Sequence, residues 1–294
     1  MTSPAFPPDR PPLRLAVHLH IYYADMWPQI RKYLAHLAPY PYHLYLTMVE
    51  PHAELVEQIR AFHAETTAYV VENRGYDIGP FIHFLHRIDL KDYDLILKIH
   101  TKNSTSRQLI HLKRYAMTRQ WWARLLYTSL LGSHKQAMRN IDLFCRYPRV
   151  GMVGSLHLIT SHKRDLVKVE QSLQEGMHKM GYRRWRFRFV AGSMFMVRSA
   201  IMQPLKDHYR LEDFEPPSGS MVDGSRAHMI ERAFGCVTTA QGYEIRGCAW
   251  NPLFECSSLL HTIRDFIYKK RITTSNRLII KICRIPIINR SLSK

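Results

Sequence analysis

The fold of this chain is predicted by Tyr69-Val-Val-Glu-Asn-Arg-Gly-Tyr-Asp-Ile-Gly-Pro-Phe81 and, a little further on, by Asp94-Leu-Ile-Leu-Lys-Ile-His-Thr-Lys-Asn103. Each begins with an apolar run typical of a buried strand and ends in a polar loop. Between them, residues 81–88 are apolar enough for two helical turns. Strand, loop, helix and strand in this order are typical of an α/β protein, in which ligands bind at the carboxyl ends of parallel strands.

The same alternation extends toward the N-terminus. Alternating or continuous apolar residues predict strands over 13–22 and 42–49, and apolar residues at helical spacing predict helices over 25–37 and 51–64. This interval favours βαβ units with right-handed crossovers, and therefore a mostly parallel sheet. Beyond residue 107 we predict helices over 115–131, 134–147, 165–180, 199–207 and 225–234, a strand over 150–155, and a central strand over 187–198.

Charge and cysteine content limit the function classes. The chain has 42 Lys and Arg against 24 Asp and Glu, a formal net charge of +18 over 294 residues. This excess implies a polyanionic partner: nucleotide phosphates, an acidic membrane surface or nucleic acid. The five cysteines form no Cys-x-x-Cys pair, which favours a reducing compartment and argues against a zinc module. Because no apolar run reaches the ~18 residues of a membrane span and no signal pattern precedes the first strand, we expect a cytosolic protein.

Four stretches resemble the rhamnan synthesis protein F family, whose members are bacterial glycosyltransferases that build rhamnose-containing cell-surface polysaccharides. They are Asn73-Arg-Gly-Tyr-Asp-Ile-Gly-Pro-Phe81, Leu97-Lys-Ile-His-Thr-Lys-Asn-Ser104, Ala191-Gly-Ser-Met-Phe-Met-Val-Arg198 and Asp223-Gly-Ser-Arg-Ala-His-Met-Ile-Glu-Arg232. The resemblance covers roughly residues 15–242. It implies an α/β fold with a GT-A-like, Rossmann-type, mostly parallel sheet flanked by helices. It also implies sugar transfer from a nucleotide-sugar, with dTDP-L-rhamnose as the expected donor.

The resemblance also implies a division of the chain. Residues 1–12, with five prolines, are expected to be a disordered lead-in. Residues 13–250 would form the glycosyltransferase domain, with a nucleotide-binding half (13–104) and an acceptor half (105–250). Residues 251–294 are expected to be a basic, amphipathic, helical extension that contacts anionic lipid. A solvated, partly ordered tail is the alternative.

Loop residues after the strands are the expected donor contacts. GT-A enzymes bind the base and ribose at such a loop, where Asn or Asp accepts hydrogen bonds and Gly allows close backbone approach. A plain turn with Asx hydrogen bonds is the alternative, and Gly192, within the predicted central strand, would equally mark a bulge. The residues assigned to nucleotide-sugar binding here are Asn73, Arg74, Gly75, Asp77, Gly79, Gly192 and Ser193.

Three further residues are expected to replace a metal ion. GT-A enzymes normally hold a divalent metal on the diphosphate with Asp-x-Asp after the fourth strand, whereas this chain has His100-Thr-Lys102 there. Lys98, His100 and Lys102 would neutralise the leaving diphosphate in its place, with Lys98 and His100 on one face of the strand. We therefore expect no cofactor and metal-independent transfer, with Mg²⁺ or Mn²⁺ left open. Solvated loop charges are the alternative.

Inverting transfer needs one carboxylate as general base and no protein nucleophile. Asp223 is the first candidate because inverting GT-A enzymes carry their base just before a helix; N-capping of that helix is the alternative. Glu231 and His228 are further catalytic candidates, with a surface ion pair to Arg232 and an ordinary half-buried histidine as the alternatives. Two more acidic residues compete for the role of base: Asp213 and Glu215.

The hypothesis is a cytoplasmic glycosyltransferase, peripheral at the inner face of the plasma membrane. Its expected partners are a nucleotide-sugar donor, a lipid-linked glycan acceptor such as a growing O-antigen, and an anionic membrane surface bound through the basic C-terminus. No nucleic acid is expected, although Arg183-Arg-Trp-Arg-Phe-Arg188 would suit either an anionic lipid-linked acceptor or nucleic acid. Two rivals remain: a nucleic-acid-binding basic α/β protein, and a non-catalytic scaffold of the same fold.

Overall fold

Short apolar runs form the central strands of the structure, a computed structural model. It describes residues 11–102, 109–112, 115–162, 165–216, 224–249, 263, 267–272, 277–283 and 285–291. The chain divides into two compact units. The first contains residues 1–103 and 123–250, and the second contains residues 104–122 and 251–294.

Helices and strands alternate through most of the chain. The helices are α1 (Trp27–Leu34), α2 (Ala53–Phe62), α3 (Ile78–Arg87), α4 (Arg119–Leu131), α5 (His134–Arg146), α6 (Glu170–Lys179), α7 (Gln203–His208) and α8 (Arg226–Ala240). The strands of the first unit are β1 (Leu15–Ile21), β2 (Tyr42–Met48), β3 (Thr66–Val70), β4 (Leu95–His100), β7 (Val150–Ser155), β8 (Ile159–Thr160), β9 (Phe189–Val190), β10 (Phe195–Arg198) and β11 (Glu244–Cys248). Those of the second unit are β5 (Leu109–Leu112), β6 (Tyr115–Thr118), β12 (Tyr268–Ile272), β13 (Arg277–Ile282) and β14 (Ile285–Ser291). Among the described residues, no helix is long and apolar enough to cross a bilayer.

A seven-stranded sheet organises the first unit, in the order β11-β7-β10-β4-β1-β2-β3. Strand β10 is antiparallel to both neighbours, and every other pairing in this sheet is parallel. The predicted class, an α/β fold with a mostly parallel sheet flanked by helices, is confirmed. After β3 the chain crosses back to the other side of β1, so the switch point of the strand order lies between β1 and β4.

Strands β1 and β4 are buried along their whole length, which explains their nearly continuous apolar sequence. On one face of the sheet, helices α3 and α8 contribute to an aromatic core. The ring centroids of Phe81 and Phe234 are 5.4 Å apart, and those of Phe195 and Phe234 are 5.2 Å apart. The exceptions to apolar character in β1 and β4 are two histidines in β1 and a lysine and a histidine in β4, and they lie where the candidate site is.

Several sequence predictions were wrong in detail. The strand predicted over 187–198 is interrupted, because Gly192 (φ +89°) and Ser193 (φ +51°) turn the chain between β9 and β10. Residues 115–118, predicted as helix, form β6 and pair with β5. Strand β11 was not predicted.

The C-terminal extension was predicted to be helical, but most of its described residues form an antiparallel sheet in the order β12-β13-β14. The frequent isoleucines of this region favour strands, because a side chain branched at Cβ packs well on a pleated surface. Most of the predicted lead-in, residues 1–10, lies outside the described residues.

Candidate active site

Four polar side chains lie on one face of two buried strands. His18 and His20 of β1 are the register partners of Lys98 and His100 of β4. All four residues are at most 4% exposed. They share a face because residues two apart in a strand point the same way. Polar groups buried in this way need internal partners or a ligand.

The ammonium group of Lys98 has three internal acceptors. Its Nζ donates to Asp77 Oδ2 at 2.6 Å, to the Ser193 carbonyl oxygen at 3.0 Å and to Ser193 Oγ at 3.3 Å. The Ser193 hydroxyl in turn donates to Asp77 Oδ2, and His100 Nδ1 lies 3.5 Å from the same oxygen. We call Asp77, Lys98, His100 and Ser193 the Asp77 cluster.

This geometry changes the expected role of Lys98. A fully buried ammonium whose three N–H groups are all used inside the protein has none left for a diphosphate. Lys98 instead joins the loop after β3 to the turn before β10, at the tip of β4. The prediction that Lys98 and His100 share a face is confirmed, since both approach Asp77.

The Asp77 carboxylate reaches this position through a strained loop. Gly75 and Tyr76 have φ values of +65° and +56°, a region that favours glycine and costs other residues energy. Asp77 occupies the N-cap position of α3, but its side chain does not cap the helix. The carboxylate is therefore committed to Lys98 and Ser193.

Gly75 and Gly79 are required by internal packing. A Cβ at Gly75 would lie 2.5 Å from the Phe214 ring, and one at Gly79 would lie 2.1 Å from the Arg74 carbonyl oxygen. The Gly75 amide also donates to the Glu215 carbonyl oxygen at 3.3 Å. Both glycines therefore allow close internal packing, on the segment after α7 and on the Arg74 carbonyl. Their predicted role in ligand approach stays a prediction.

Charge in the Asp77 cluster is balanced internally. Burial acts to raise the pKa of Asp77, but the charges of His100 and Lys98 and the hydrogen bonds from Lys98 and Ser193 outweigh it and hold the pKa well below its ordinary value. Burial lowers the pKa of His100, with Asp77 opposing and Lys98 reinforcing the shift. Burial lowers the pKa of Lys98, while the charge of Asp77 and the hydrogen bond to it oppose that shift. Asp77 is therefore ionised at neutral pH, with the ammonium group of Lys98 as its partner.

His100 offers a free polar atom at the strand tip. Its Nδ1 is buried and makes no hydrogen bond with any residue that the structure describes. Its carbonyl oxygen accepts from the Tyr127 hydroxyl at 2.7 Å, and that hydroxyl accepts from the Lys102 backbone N–H at 3.1 Å. The backbone after β4 is thus fixed, while Nδ1 lies 3.5 Å from Asp77 Oδ2, beyond ordinary hydrogen-bond distance.

The second predicted catalytic residue, Glu231, is used structurally. Its carboxylate accepts from the Gly192 N–H at 2.7 Å and from Arg232 Nη1 at 3.1 Å. Arg232 also donates to the carbonyl oxygens of Asp165 and His228. Glu231 therefore fixes the turn that presents Ser193, and Gly192 contributes its N–H to that contact.

The other acceptor-side candidates are only partly placed. Asp223 lies outside the described residues, and Ser225 occupies the N-cap position of α8. His228 Nδ1 lies 2.8 Å from Ser225 Oγ, and its ring is 6.2 Å from that of Tyr76. Two rival acids have other contacts: Asp213 Oδ2 accepts from the Arg210 N–H at 2.7 Å, and Glu215 Oε1 lies 3.5 Å from the Arg226 N–H.

Two tyrosines that the sequence analysis missed lie after β1. Thr101 Oγ1 accepts from the N–H groups of Tyr22 and Tyr23 at 2.9 and 3.0 Å, which ties the loop after β1 to the end of β4. The two side chains are 53% and 37% exposed. Their position directly after the first strand, at the switch point, was the signal that would have identified them.

The two remaining donor-side candidates differ in their contacts. The half-buried side chain of Asn73 makes no hydrogen bond within the described part of the chain. Arg74 Nε lies 2.7 Å from Glu72 Oε1, and Arg74 Nη1 donates to the Phe214 carbonyl oxygen at 3.1 Å. Asn73 therefore keeps its amide for a ligand, whereas Arg74 is committed to its own loop.

The donor set near the tip of β4 does not suit a divalent metal. Mg²⁺ and Mn²⁺ prefer several carboxylate or carbonyl oxygens. The carboxylate that the structure places there, Asp77, is already bound by Lys98 and Ser193. Within the described ranges, no group of three His, Cys, Asp or Glu side chains is arranged to hold a metal ion. Metal independence itself remains a prediction.

The chain has relatives among curated proteins. The uncharacterised WxcX proteins of two strains of Xanthomonas campestris pv. campestris are 30% and 29% identical over 198 residues. These alignments cover 64% of this chain and 26% of each relative, so the chain spans about a quarter of their length.

Several solved structures resemble the fold with low TM-scores and low sequence identity. Residues 1–349 of S. aureus TarS superpose with a TM-score of 0.40 and 8% identity, over 76% of this chain and 55% of that TarS chain. A mycobacterial protein gives 0.41 and 9%, over 95% and 86% of the two chains. Glucosyl-3-phosphoglycerate synthase from Mycobacterium tuberculosis, solved with Mn²⁺, UDP-glucose and phosphoglyceric acid, gives 0.38 and 10%, over 95% and 89%. At these scores no residue role is transferred to this chain.

A family profile matches most of the chain. It covers residues 4–243, which include the strand-tip loops, the Asp77 cluster and α8, and on that match the chain belongs to the rhamnan synthesis protein F family.

Proposed function

We propose that this chain is a glycosyltransferase of polysaccharide assembly. It transfers a deoxyhexose, L-rhamnose from dTDP-L-rhamnose as the first candidate, to a lipid-linked glycan with inversion. The observation that carries the proposal is the strand tip at the switch point. There the buried Nδ1 of His100 makes no hydrogen bond with a described residue. The exposed Tyr22 and Tyr23 follow β1, whose His20 is the register partner of His100. Family membership supports the reaction class.

The donor is bound across the ends of β1 and β4. An exposed Tyr22 or Tyr23 ring stacks on the nucleotide base, and the amide of Asn73 hydrogen-bonds to the base or the ribose. His100 and Lys102 face the diphosphate, since the charge of Lys98 is already neutralised by Asp77. The Asp77 cluster fixes the geometry of these groups without contacting phosphate.

The acceptor is activated by a carboxylate. One acceptor hydroxyl attacks the anomeric carbon, its proton passes to Asp223, and the bond from that carbon to the diphosphate oxygen breaks on the opposite face. Asp223 is favoured over Glu231 and Asp213 because hydrogen bonds within the protein already occupy those two carboxylates. The nucleoside diphosphate leaves with its negative charge stabilised by Lys102, at the tip of β4.

A thermal-shift panel tests the donor class. We expect dTDP and dTDP-L-rhamnose to raise the melting temperature more than UDP, GDP or their sugars, because a ligand that binds only the folded state stabilises it by mass action. The shift should persist in EDTA. The Tyr22→Ala variant should lose most of it, whereas Tyr147→Ala, which removes another exposed tyrosine, should not. A shift that appears only with Mn²⁺ would contradict the metal-free site, and no shift with any nucleotide would contradict the function.

Replacing the proposed base tests the mechanism. Asp223→Asn should lower kcat/KM by roughly 10²–10⁴-fold, the usual contribution of a positioned general base, with little change in melting temperature. The same substitution at Asp213 is the matched control and should retain activity within about tenfold. Equal activity of the wild type and Asp223→Asn would exclude this residue as base. If donor binding is normal but neither protein transfers or hydrolyses sugar, the scaffold alternative holds.

The place of action follows as part of the proposal. We place the enzyme at the inner face of the plasma membrane, where a lipid-linked acceptor is available. The second unit supports this, because Ile285 and Ile287 of β14 are 63% and 58% exposed in a region rich in Lys and Arg. Exposed apolar side chains with adjacent cations favour binding to an anionic bilayer surface.

A further inference from the structure

A row of arginines on the first unit has no part in the proposed transfer reaction. Residues 183–188 read Arg-Arg-Trp-Arg-Phe-Arg, and all four arginines are exposed. None of them forms an ion pair with another described residue. We call Arg183, Arg184, Arg186 and Arg188 the arginine strip. Four unpaired guanidinium groups within six residues repel one another unless an anion lies over them.

The strip is held in place by the fold. Trp185 and Phe187 are half-buried and pack against the hydrophobic core, so aromatic side chains point inward while arginines point outward. The backbone of Arg186 is fixed at both groups: its N–H donates to Thr239 Oγ1 at 3.2 Å, and its carbonyl oxygen accepts from that hydroxyl at 2.9 Å. The strip is therefore a preorganised surface, which lowers the entropy cost of binding.

We propose that the arginine strip binds the anionic headgroups of a phospholipid bilayer. Guanidinium groups match phosphate oxygens in shape and charge, and a row of them fits a surface that offers many phosphates. The strip leads through β9 into the Gly192–Ser193 turn of the Asp77 cluster, so a docked strip holds the candidate active site close to the bilayer. The choice of lipid rests in part on the proposed lipid-linked acceptor.

Nucleic acid fits the same row less well. Proteins that bind single strands add aromatic rings on which bases stack, but Trp185 and Phe187 are turned toward the core. The strip thus provides contacts to phosphate without a stacking platform. The arginine strip is also separate from the C-terminal strands, because it belongs to the first unit and those strands belong to the second.

Vesicle sedimentation of the full chain tests the proposal without any sugar donor, so its outcome is independent of transfer activity. The wild type should bind phosphatidylcholine vesicles that contain phosphatidylglycerol, lose affinity with added salt and ignore pure phosphatidylcholine. Changing all four arginines of the strip to Gln should weaken binding at least tenfold, since each cation near an anionic surface contributes about fivefold. Changing them to Lys should retain most of the affinity.

A second quadruple variant controls for net charge. Lys32, Lys135, Arg139 and Lys168 are exposed, lie on other parts of the first unit and form no ion pair with a described residue. Their change to Gln should alter vesicle affinity by less than about threefold. Equal losses in the two quadruple variants, or no binding of anionic vesicles by the wild type, would overturn the proposal. Loss of single-stranded RNA binding with unchanged lipid binding would assign the strip to nucleic acid instead.

Discussion

Replacing Lys98 by methionine is expected to lower the free energy of unfolding by about 3–5 kcal/mol, the usual effect of breaking a buried ion pair from one side. Methionine fills much of the same volume, so the loss arises mainly from an ionised Asp77 left without its cation. Urea unfolding of the purified chain measures it. The same substitution at exposed Lys91 is the matched control and should change stability by less than about 0.5 kcal/mol.

A double variant separates charge from shape. Lys98→Met combined with Asp77→Leu removes both charges and should recover part of the stability lost in Lys98→Met, because a buried pair replaced by apolar residues is often close to neutral. Donor binding should not recover, since the loop after β3 loses its link to the turn before β10. If the losses in the two single variants simply add in the double variant, the coupling between Lys98 and Asp77 is absent.

Acidification from pH 7 to pH 5 is expected to destabilise the protein by several kcal/mol. Burial lowers the pKa of His20 to about 4, and it lowers the pKa values of His18 and His100 well below the ordinary 6.5. Below pH 6.5 the unfolded chain therefore binds protons that the folded chain does not. The free energy of unfolding therefore decreases as the pH is lowered. Each such histidine contributes about 1.4 kcal/mol per pH unit in this window.

Asp77 does not act in the same pH window. Its pKa is depressed, so the stability it contributes is fully present at neutral pH and is lost only below the ordinary carboxyl pKa of about 3.9. Urea unfolding at half-unit steps of pH measures the slope. His20→Gln should reduce it by about 1.4 kcal/mol per pH unit, whereas His178→Gln, at an exposed position on α6, should leave it unchanged. A flat profile between pH 7 and 5 would show that the buried histidines are protonated in the folded state.

Local pattern was enough to predict the parallel half of the sheet. Apolar runs bounded by turn-forming residues fixed the central strands, and β7 was predicted with its observed bounds. Where tertiary contacts override local preference, the pattern was insufficient. The turn at Gly192 and Ser193 looks like continuous strand in sequence, because the carboxylate that binds the Gly192 N–H belongs to Glu231, 39 positions away.

The candidate site was predicted in its residues but not in its contacts. Loop position and residue type identified Asp77, Lys98, His100 and Ser193, and the structure brings all four together. The spacing of residues in the sequence does not show which charged side chains pair with each other in the fold. Hence Lys98 was assigned to a diphosphate, although it is paired with Asp77. The exposed tyrosines were missed because their importance depends on the strand order.

The late position of Ser193 in the chain has a consequence for how the protein is made. Ser193 follows Lys98 by 95 positions. Asp77 and Lys98 are therefore synthesised well before the serine that hydrogen-bonds to both of them. Closing so long a loop also carries an entropic cost and slows assembly. A nascent chain therefore lacks the complete Asp77 cluster until its second half has emerged, so the tip of β4 reaches its final geometry only late in synthesis.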